Sequence, residues 1–241
     1  MIDTSKHTIT VPNLPATMHG FRVVQLTDLH RSQLTRDHHL RHAIQLANDL
    51  KPDLFVLTGD YVSNRPKDIA PVAGMLQHLH APAGTYAILG NHDHHTGGSA
   101  VASALKHVGV HVLQNQSVKL ECGLRLVGLD DDRYKLTDVE NSFRDVSVGE
   151  TVLTLAHNPA LIEKLPDIPQ TVLSGHTHGG QINVPIFTAR QLRRIGARHY
   201  KAGWYELGSV KLYVCRGLGN VGVPVRMFAP PEIAVFEYVK G

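Results

Sequence analysis

The feature that most constrains this chain is a repeated junction, in which a short apolar run passes directly into a polar cluster. Residues 21–26 (FRVVQL) run into Thr27-Asp28-Leu29-His30, residues 54–57 (LFVL) into Thr58-Gly59-Asp60, and residues 85–89 into Gly90-Asn91-His92-Asp93. Residues 151–156 lead to His157, and residues 171–173 enter Ser174-Gly175-His176-Thr177-His178-Gly179-Gly180. Runs this short, bounded by polar and glycine residues, read as buried strands. Between them, Leu40, Ile44, Ala47 and Leu50 mark one face of a helix over 36–50, stopped by Pro52. A second helix carries Ile69, Val72, Ala73, Leu76 and Leu79 before Pro82, and a third, about 99–108, closes at Gly109. Strands alternating with helices predict an α/β class. In such sheets the functional groups gather beyond the carboxyl ends of the strands.

The final third turns strand-rich. Stretches at 117–121 and 124–129 flank Cys122-Gly123 as a hairpin, a short helix starts at Pro159, and strands are expected near 200–207, 210–215 and 232–239. No repeat, low-complexity segment or linker interrupts the 241 residues, so one domain over 1–241 is expected, long enough to bury a core without a staple. Charged residues make up 19%, and 17 histidines stand out as the surplus to explain. A net charge of +3 is too weak to predict binding of long nucleic acid. Cys122 and Cys215 have no metal or disulfide spacing and read as ordinary thiols of a reducing compartment. No run approaches the ~18 apolar residues of a membrane span, and the opening residues lack a signal-peptide core. The expected location is the cytoplasm or the inner face of the membrane; an anchor lying outside this sequence would leave the same residues.

The polar clusters carry the chemistry. Residues i and i+2 of an extended chain point the same way, so Asp28 with His30, and His176 with His178, can each converge on one centre. Singly, each cluster reads as a turn or a surface polar pair. Five in order, each after a strand, make that reading untenable, because clustered polar groups beside buried strands cost free energy without partners. Two carboxylates (Asp28, Asp60), the Asn91 carbonyl and four imidazoles (His30, His157, His176, His178) form a mixed oxygen and nitrogen donor set. That set suits manganese first, or iron, zinc, cobalt or nickel, better than the all-oxygen preference of magnesium or calcium. Seven ligands exceed one tetrahedral ion and suit two ions sharing a carboxylate. Such a pair activates water and draws in a phosphate, which predicts metal-assisted phosphoester hydrolysis.

D-x-H, G-D, G-N-H-D, H and G-H-T-H in this order resemble the calcineurin-like metallophosphoesterase superfamily. The S-G-H-T-H-G-G-Q block at 174–181, L-Y-V-C-R-G-L-G at 212–219, P-x-R at 224–226 and P-E-I at 231–233 are similar to its bacterial YkuE/YaeI-like branch, whose members include a UDP-2,3-diacylglucosamine pyrophosphohydrolase. The resemblance implies a four-layer α/β/β/α sandwich of two mixed sheets and two metal ions. It implies that Asp28, His30 and His178 bind the first ion, that Asn91, His157 and His176 bind the second, and that Asp60 bridges them. His92 would face the phosphate as charge stabiliser or general acid, oriented by Asp93, while a metal-bridging hydroxide attacks phosphorus. The expected activity is that of a phosphodiesterase. The alternatives are a pyrophosphohydrolase of lipid A synthesis and, in another class, a non-catalytic metal-binding interaction module; nuclease and cyclic-nucleotide phosphodiesterase are further options. Ser63 and Asp93 depart from the phosphoprotein phosphatase pattern, and Arg31 and Cys215 depart from the branch.

Outside the clusters, His38, His39 and His42 fall on the polar face of the first helix, and His78 and His80 flank the end of the second. His94 and His95 read as a surface loop or as cleft wall. The stretch 190–201 (RQLRRIGARHYK), with Ile186, Phe187 and Ile195, reads either as a solvated basic loop or as a lid. As a lid, 186–201 would make peripheral membrane contact, and the partner would be a phosphodiester or pyrophosphate substrate, small or lipid-linked.

Overall fold

The computed structural model describes residues 1–241, apart from the side chains of residues 185–187. Two six-stranded mixed sheets form the centre of the molecule. In the first, β1 (Asp3–Val11), β12 (Glu232–Lys240), β2 (Arg22–Leu26), β3 (Leu54–Leu57), β4 (Thr85–Ala87) and β5 (His111–Val112) lie side by side in that order. The pairs from β2 through β5 are parallel, and β12 runs antiparallel to β2. In the second sheet the order is β10 (Gly203–Leu207), β11 (Val210–Val214), β9 (Gln170–Ser174), β8 (Thr151–Leu155), β7 (Leu124–Gly128) and β6 (Gln116–Lys119). Its middle pairs are parallel, and antiparallel hairpin strands close both edges.

The continuous apolar run of β3 follows from burial on both faces. Leu54 and Val56 turn inward with Val23, Ile88, Leu126, Leu153 and Phe236 to fill the space between the sheets. Phe55 and Leu57 turn outward, where they meet Leu40, Ile44 and Ala47 of α1 (Asp37–Asp49), Val72 and Leu76 of α2 (Ile69–Leu76), and Val101 and Leu105 of α3 (Asn91–His107). Across the second sheet, Val172, Leu212 and Val214 pack under Leu161, Ile162 and Tyr200. The outer layer there is thin: a 3-10 segment over Pro159–Lys164 and the short α4 (Val139–Phe143), followed along the chain by α5 (Pro185–Ile195). The four-layer α/β/β/α sandwich expected from the motifs is the observed architecture.

Three local expectations change. The helix expected over 99–108 starts at Asn91, so the G-N-H-D block is the first turn of α3, with a kink where Gly97 sits at φ 136°. Residues 185–195 form a helix rather than a loop. The edge strand β1 pairs parallel with β12 from Asp3 with Glu232 to Val11 with Lys240, where no strand was expected. Among the described residues no helix is long and apolar enough to cross a membrane.

The inter-sheet layer predicts a sharp contrast. Leu153 is fully buried, so Leu153→Ala should cost roughly 2–5 kcal/mol in urea unfolding. Exposed Leu136→Ala should stay within about 0.5 kcal/mol. Similar small losses for both would contradict this packing.

Candidate metal centre

The parallel strands of both sheets deliver their carboxyl ends to one edge. Asp28 and His30 follow β2, Asp60 follows β3, Asn91 opens α3 after β4, His157 follows β8, and His176 and His178 follow β9. The structure brings the two carboxylates and four imidazoles together, and buries Asn91 at the adjoining start of α3. His178 Nε2 lies 3.3 Å from Asp28 Oδ1, and His30 Nε2 and His157 Nε2 lie 3.3 and 3.2 Å from Asp60 Oδ2. His176 Nδ1 lies 3.2 Å from His157 Nε2. Three overlapping groups have ligand atoms within 4.8 Å of one another: Asp28–His30–His178, His30–Asp60–His92 and Asp60–His157–His176.

This convergence strains the backbone. Asp28, His30, Asp60, His176 and His178 all hold left-handed φ values between 44° and 71°. Each costs an L-residue on the order of 1 kcal/mol, and such strain concentrates where geometry serves a site. Two glycines make room. A Cβ at Gly90 would overlap the Asp60 carboxylate, and one at Gly175 the Asp28 carboxylate. The segment Gly217-Leu218-Gly219, whose sequence resembles a nucleotide loop, instead braces the first cluster: the Leu218 N–H donates to the Thr27 carbonyl at 3.1 Å and the Gly219 N–H to that of Asp28 at 2.6 Å.

Neighbouring groups aim the rings. His157 Nδ1 sits 2.7 Å from the Thr58 carbonyl, which leaves Nε2 for the centre, and His176 Nε2 sits 2.9 Å from the Ile195 carbonyl, which leaves Nδ1. The Asp28 carboxylate accepts from the His176 N–H at 2.9 Å and from Thr27 Oγ1 at 2.9 Å. Asn91 Oδ1 is buried without a hydrogen-bond partner, as is His30 Nε2. A buried amide oxygen without a donor is costly, and a hard cation would satisfy it. Carboxylate, amide and imidazole donors at these separations fit a pair of divalent ions.

Electrostatics point the same way. Burial pushes the Asp28 carboxyl up, but His178 and His30 outweigh it and hold it well below the usual range; His157 and His30 do the same for Asp60. Burial depresses His30, yet Asp28 and Asp60 raise it to about 9, and Asp60 lifts His157 well above its ordinary value. His176 falls to about 4 through burial and the charge on His157.

One assigned role changes. Asp93 does not orient His92. Placed in the first turn of α3, its carboxylate reaches back to accept the N–H groups of Asp60 (2.7 Å), Tyr61 (2.9 Å) and Gly90 (3.0 Å), as a third helical residue caps its own helix. Burial and the charge of Asp60 lift it to about 7. The orienting partner of His92 is the Ser63 carbonyl, 2.6 Å from Nδ1, while the His92 N–H donates to Asp60 Oδ1 at 2.8 Å.

A cleft of about 1440 Å³ opens beside His92 and Asn91. Arg65, Arg133, Arg190 and Arg194 line it, together with apolar Leu34, Ile182, Val184, Val221 and Met227. His95 joins this wall, whereas His94 pairs with Asp130 at 2.6 Å. Of the stretch 186–201, Arg190, Gln191, Arg194 and Ile195 reach the cleft; Arg198 pairs with Glu163, and the side chains of Ile186 and Phe187 lie outside the described residues. Arg31 is taken up by Asp37 and Asp68, and Cys215 is buried against Glu232 and Gly217. Sequence reasoning did not foresee Arg65, Arg133 or Tyr134 in the cleft. Their one signal was position, shortly after a strand-end cluster or a run of aspartates.

A cluster of buried carboxylates and imidazoles suited to divalent metal, at the shared edge of two mixed sheets, defines the class, and the comparisons agree. A family model described as calcineurin-like phosphoesterase matches residues 21–180, and the chain belongs to that family. The metallophosphoesterase YkuE of Bacillus subtilis (strain 168) is 37% identical over 244 residues, which span 98% of this chain and 85% of YkuE. The UDP-2,3-diacylglucosamine pyrophosphatase LpxG of Chlamydia trachomatis is 31% identical over 93% of this chain and 86% of its own. A dimetal phosphatase from Danio rerio shares the fold with a TM-score of 0.53 at 12% identity, over 86% of this chain and 90% of that one.

The raised His30 and His157 predict proton release on metal loading. At pH 7 both hold protons in the metal-free protein, and both must lose them to coordinate. Calorimetric titration with Mn²⁺ in buffers of different ionisation enthalpy should show about two protons released per chain, fewer as pH rises through 9. Heats independent of buffer would contradict it.

Proposed function

We propose that this protein is a dinuclear metal-dependent phosphohydrolase, a single catalytic unit over 1–241, acting on phosphodiesters. Asp28, His30 and His178 would hold one ion, Asn91, His157 and His176 the other, with Asp60 between them. The observation that carries this reading is that Asp60 belongs to two overlapping ligand groups beside the orphaned Asn91 oxygen. When bound, two such ions, manganese foremost, supply an activated water and neutralise charge on the phosphoryl oxygens. The rest falls to the chain. The Ser63 carbonyl keeps a proton on His92 Nδ1, which leaves Nε2 free for the substrate, and the ring stands beside His30 and Asp60. Burial lowers the His92 pKa, and its ring would serve the phosphoryl or leaving oxygen as hydrogen-bond or proton donor. Asp93 fixes the Asp60 loop, and the cleft arginines orient the remaining anionic groups of the substrate.

A second reading is favoured by the mixed lining of the cleft: a nucleoside-diphosphate-linked lipid, hydrolysed at its pyrophosphate as the name of LpxG describes for that enzyme. Four arginines suit more than one phosphate, and six apolar neighbours suit acyl chains. That reading places the enzyme in the cytoplasm at the inner face of the membrane, consistent with two free cysteines.

Metal-stripped protein reloaded with Mn²⁺ should hydrolyse bis-p-nitrophenyl phosphate faster than p-nitrophenyl phosphate. His92→Ala should lower kcat by about 10²–10⁴, and Asp60→Asn should abolish turnover. Preference for the monoester would overturn the diesterase assignment, and metal-independent turnover would overturn the mechanism. If the lipid reading holds, Arg133→Ala raises KM for a UDP-linked diacylglucosamine about tenfold or more and leaves KM for the small diester unchanged. Equal shifts for both would count against it.

A further inference from the structure

Beyond the hydrolytic site, the loop over 221–228 displays apolar side chains at the mouth of the cleft. Val223, Val225, Met227 and Phe228 are all exposed, Phe228 by 78% and Val225 by 49%, and Ile182 beside them is at 36%. The display is not fraying. Gln181 Nε2 donates to the Val221 and Val223 carbonyls at 3.0 Å each, and Gln181 Oε1 accepts from the Val221 N–H at 2.9 Å. The Met227 N–H donates to the Gln181 carbonyl at 2.8 Å, and the Asn183 N–H donates to the Met227 carbonyl at 2.9 Å. Arg226 points inward and anchors the loop to the carbonyls of Gly219 (3.0 Å) and Arg216 (2.9 Å). Phe228 itself is held at φ 57°, a conformation that bulky residues rarely adopt. A tightly stapled loop that holds an aromatic ring in water through a strained backbone is a built feature, and exposed apolar patches of this kind mark interaction sites.

Charge identifies the partner. Met227 and Ile182 line the same cleft mouth as Arg190 and Arg194 of α5, and Arg193 on that helix is exposed. The α5 segment over 185–195 carries these three arginines and no carboxylate. Apolar side chains flanked by arginines match a bilayer bearing anionic headgroups, with apolar groups entering the acyl boundary and cations meeting phosphates. We infer that the 221–228 loop and α5 form one docking surface for an anionic lipid bilayer, which seats the cleft mouth on the membrane. Arg190, Arg194, Ile182 and Met227 of this surface also line the substrate cleft, so the test reads vesicle binding, which requires no turnover.

The test is co-sedimentation of the full chain with vesicles of phosphatidylcholine, with and without about 30 mol% phosphatidylglycerol. The protein should bind the anionic vesicles, bind the neutral ones weakly, and dissociate as NaCl rises to about 1 M. Phe228→Gly removes the ring and relieves the left-handed strain, so it should fold at least as well and bind about tenfold more weakly. Arg193→Glu should lose the preference for anionic over neutral vesicles, and Asp60→Asn should bind as the parent does. Failure of the parent to co-sediment, equal binding to neutral vesicles, or parental binding by Phe228→Gly would overturn the inference. A dimer in light scattering that Phe228→Gly dissolves would also overturn it, assigning the patch to a second copy of the chain.

Discussion

The rest of the structure depends on one electrostatic constraint: two carboxylates and four imidazoles sit buried, three of the rings within ion-pairing distance of a carboxylate and His176 against His157. Charges taken out of water cost several kcal/mol each unless they are closely paired. Without metal, protons do the pairing, on His30 and His157 opposite Asp60. With metal, the ions would take over the compensation that the protons provide. Either way the cluster stays intact only where the chain forces it together, and the fold is arranged to do so.

The arrangement rests on two sheets joined at a common edge. Asp28 at the end of β2 accepts the N–H of His176 beyond β9, and Gln25 on β2 donates to the Ser174 carbonyl at 3.0 Å, so the first and second sheets are stitched directly at the site. Behind these polar stitches lies the dry layer of Val23, Val56, Leu153 and Leu173, which fixes the separation of the sheets. Left-handed turns at five ligand positions, with Gly90 and Gly175 set back from the carboxylates, convert five strand ends into a single centre. Asp93 completes the scaffold by gathering the N–H groups of Asp60, Tyr61 and Gly90 on one carboxylate.

Much of this was legible in the sequence because the signal is local. The LFVL run of β3 is bounded as expected, and each polar cluster follows its strand. What escaped depends on distant partners. β1 reads as Thr, Ser, Lys and His with few apolar residues, and only its nine-residue pairing with β12 makes it a strand. Asp93 looked like a partner for the adjacent His92, but the first turn of a helix sends a third-position side chain back toward the cap. The cleft draws on loops from 32 to 227, and Arg65, Arg133 and Met227 carry no shared spacing that a linear reading could detect. Strain at Phe228 is likewise invisible without the backbone.

Asp60 is the proposed link between two metal ions. The direct measurement is electron paramagnetic resonance on the Mn²⁺-loaded protein, alongside metal content per chain. The account predicts two manganese ions per chain with an exchange-coupled spectrum, and in Asp60→Asn a loss of that coupling. A single ion per chain, or two ions giving only uncoupled mononuclear signals in the parent protein, would contradict it.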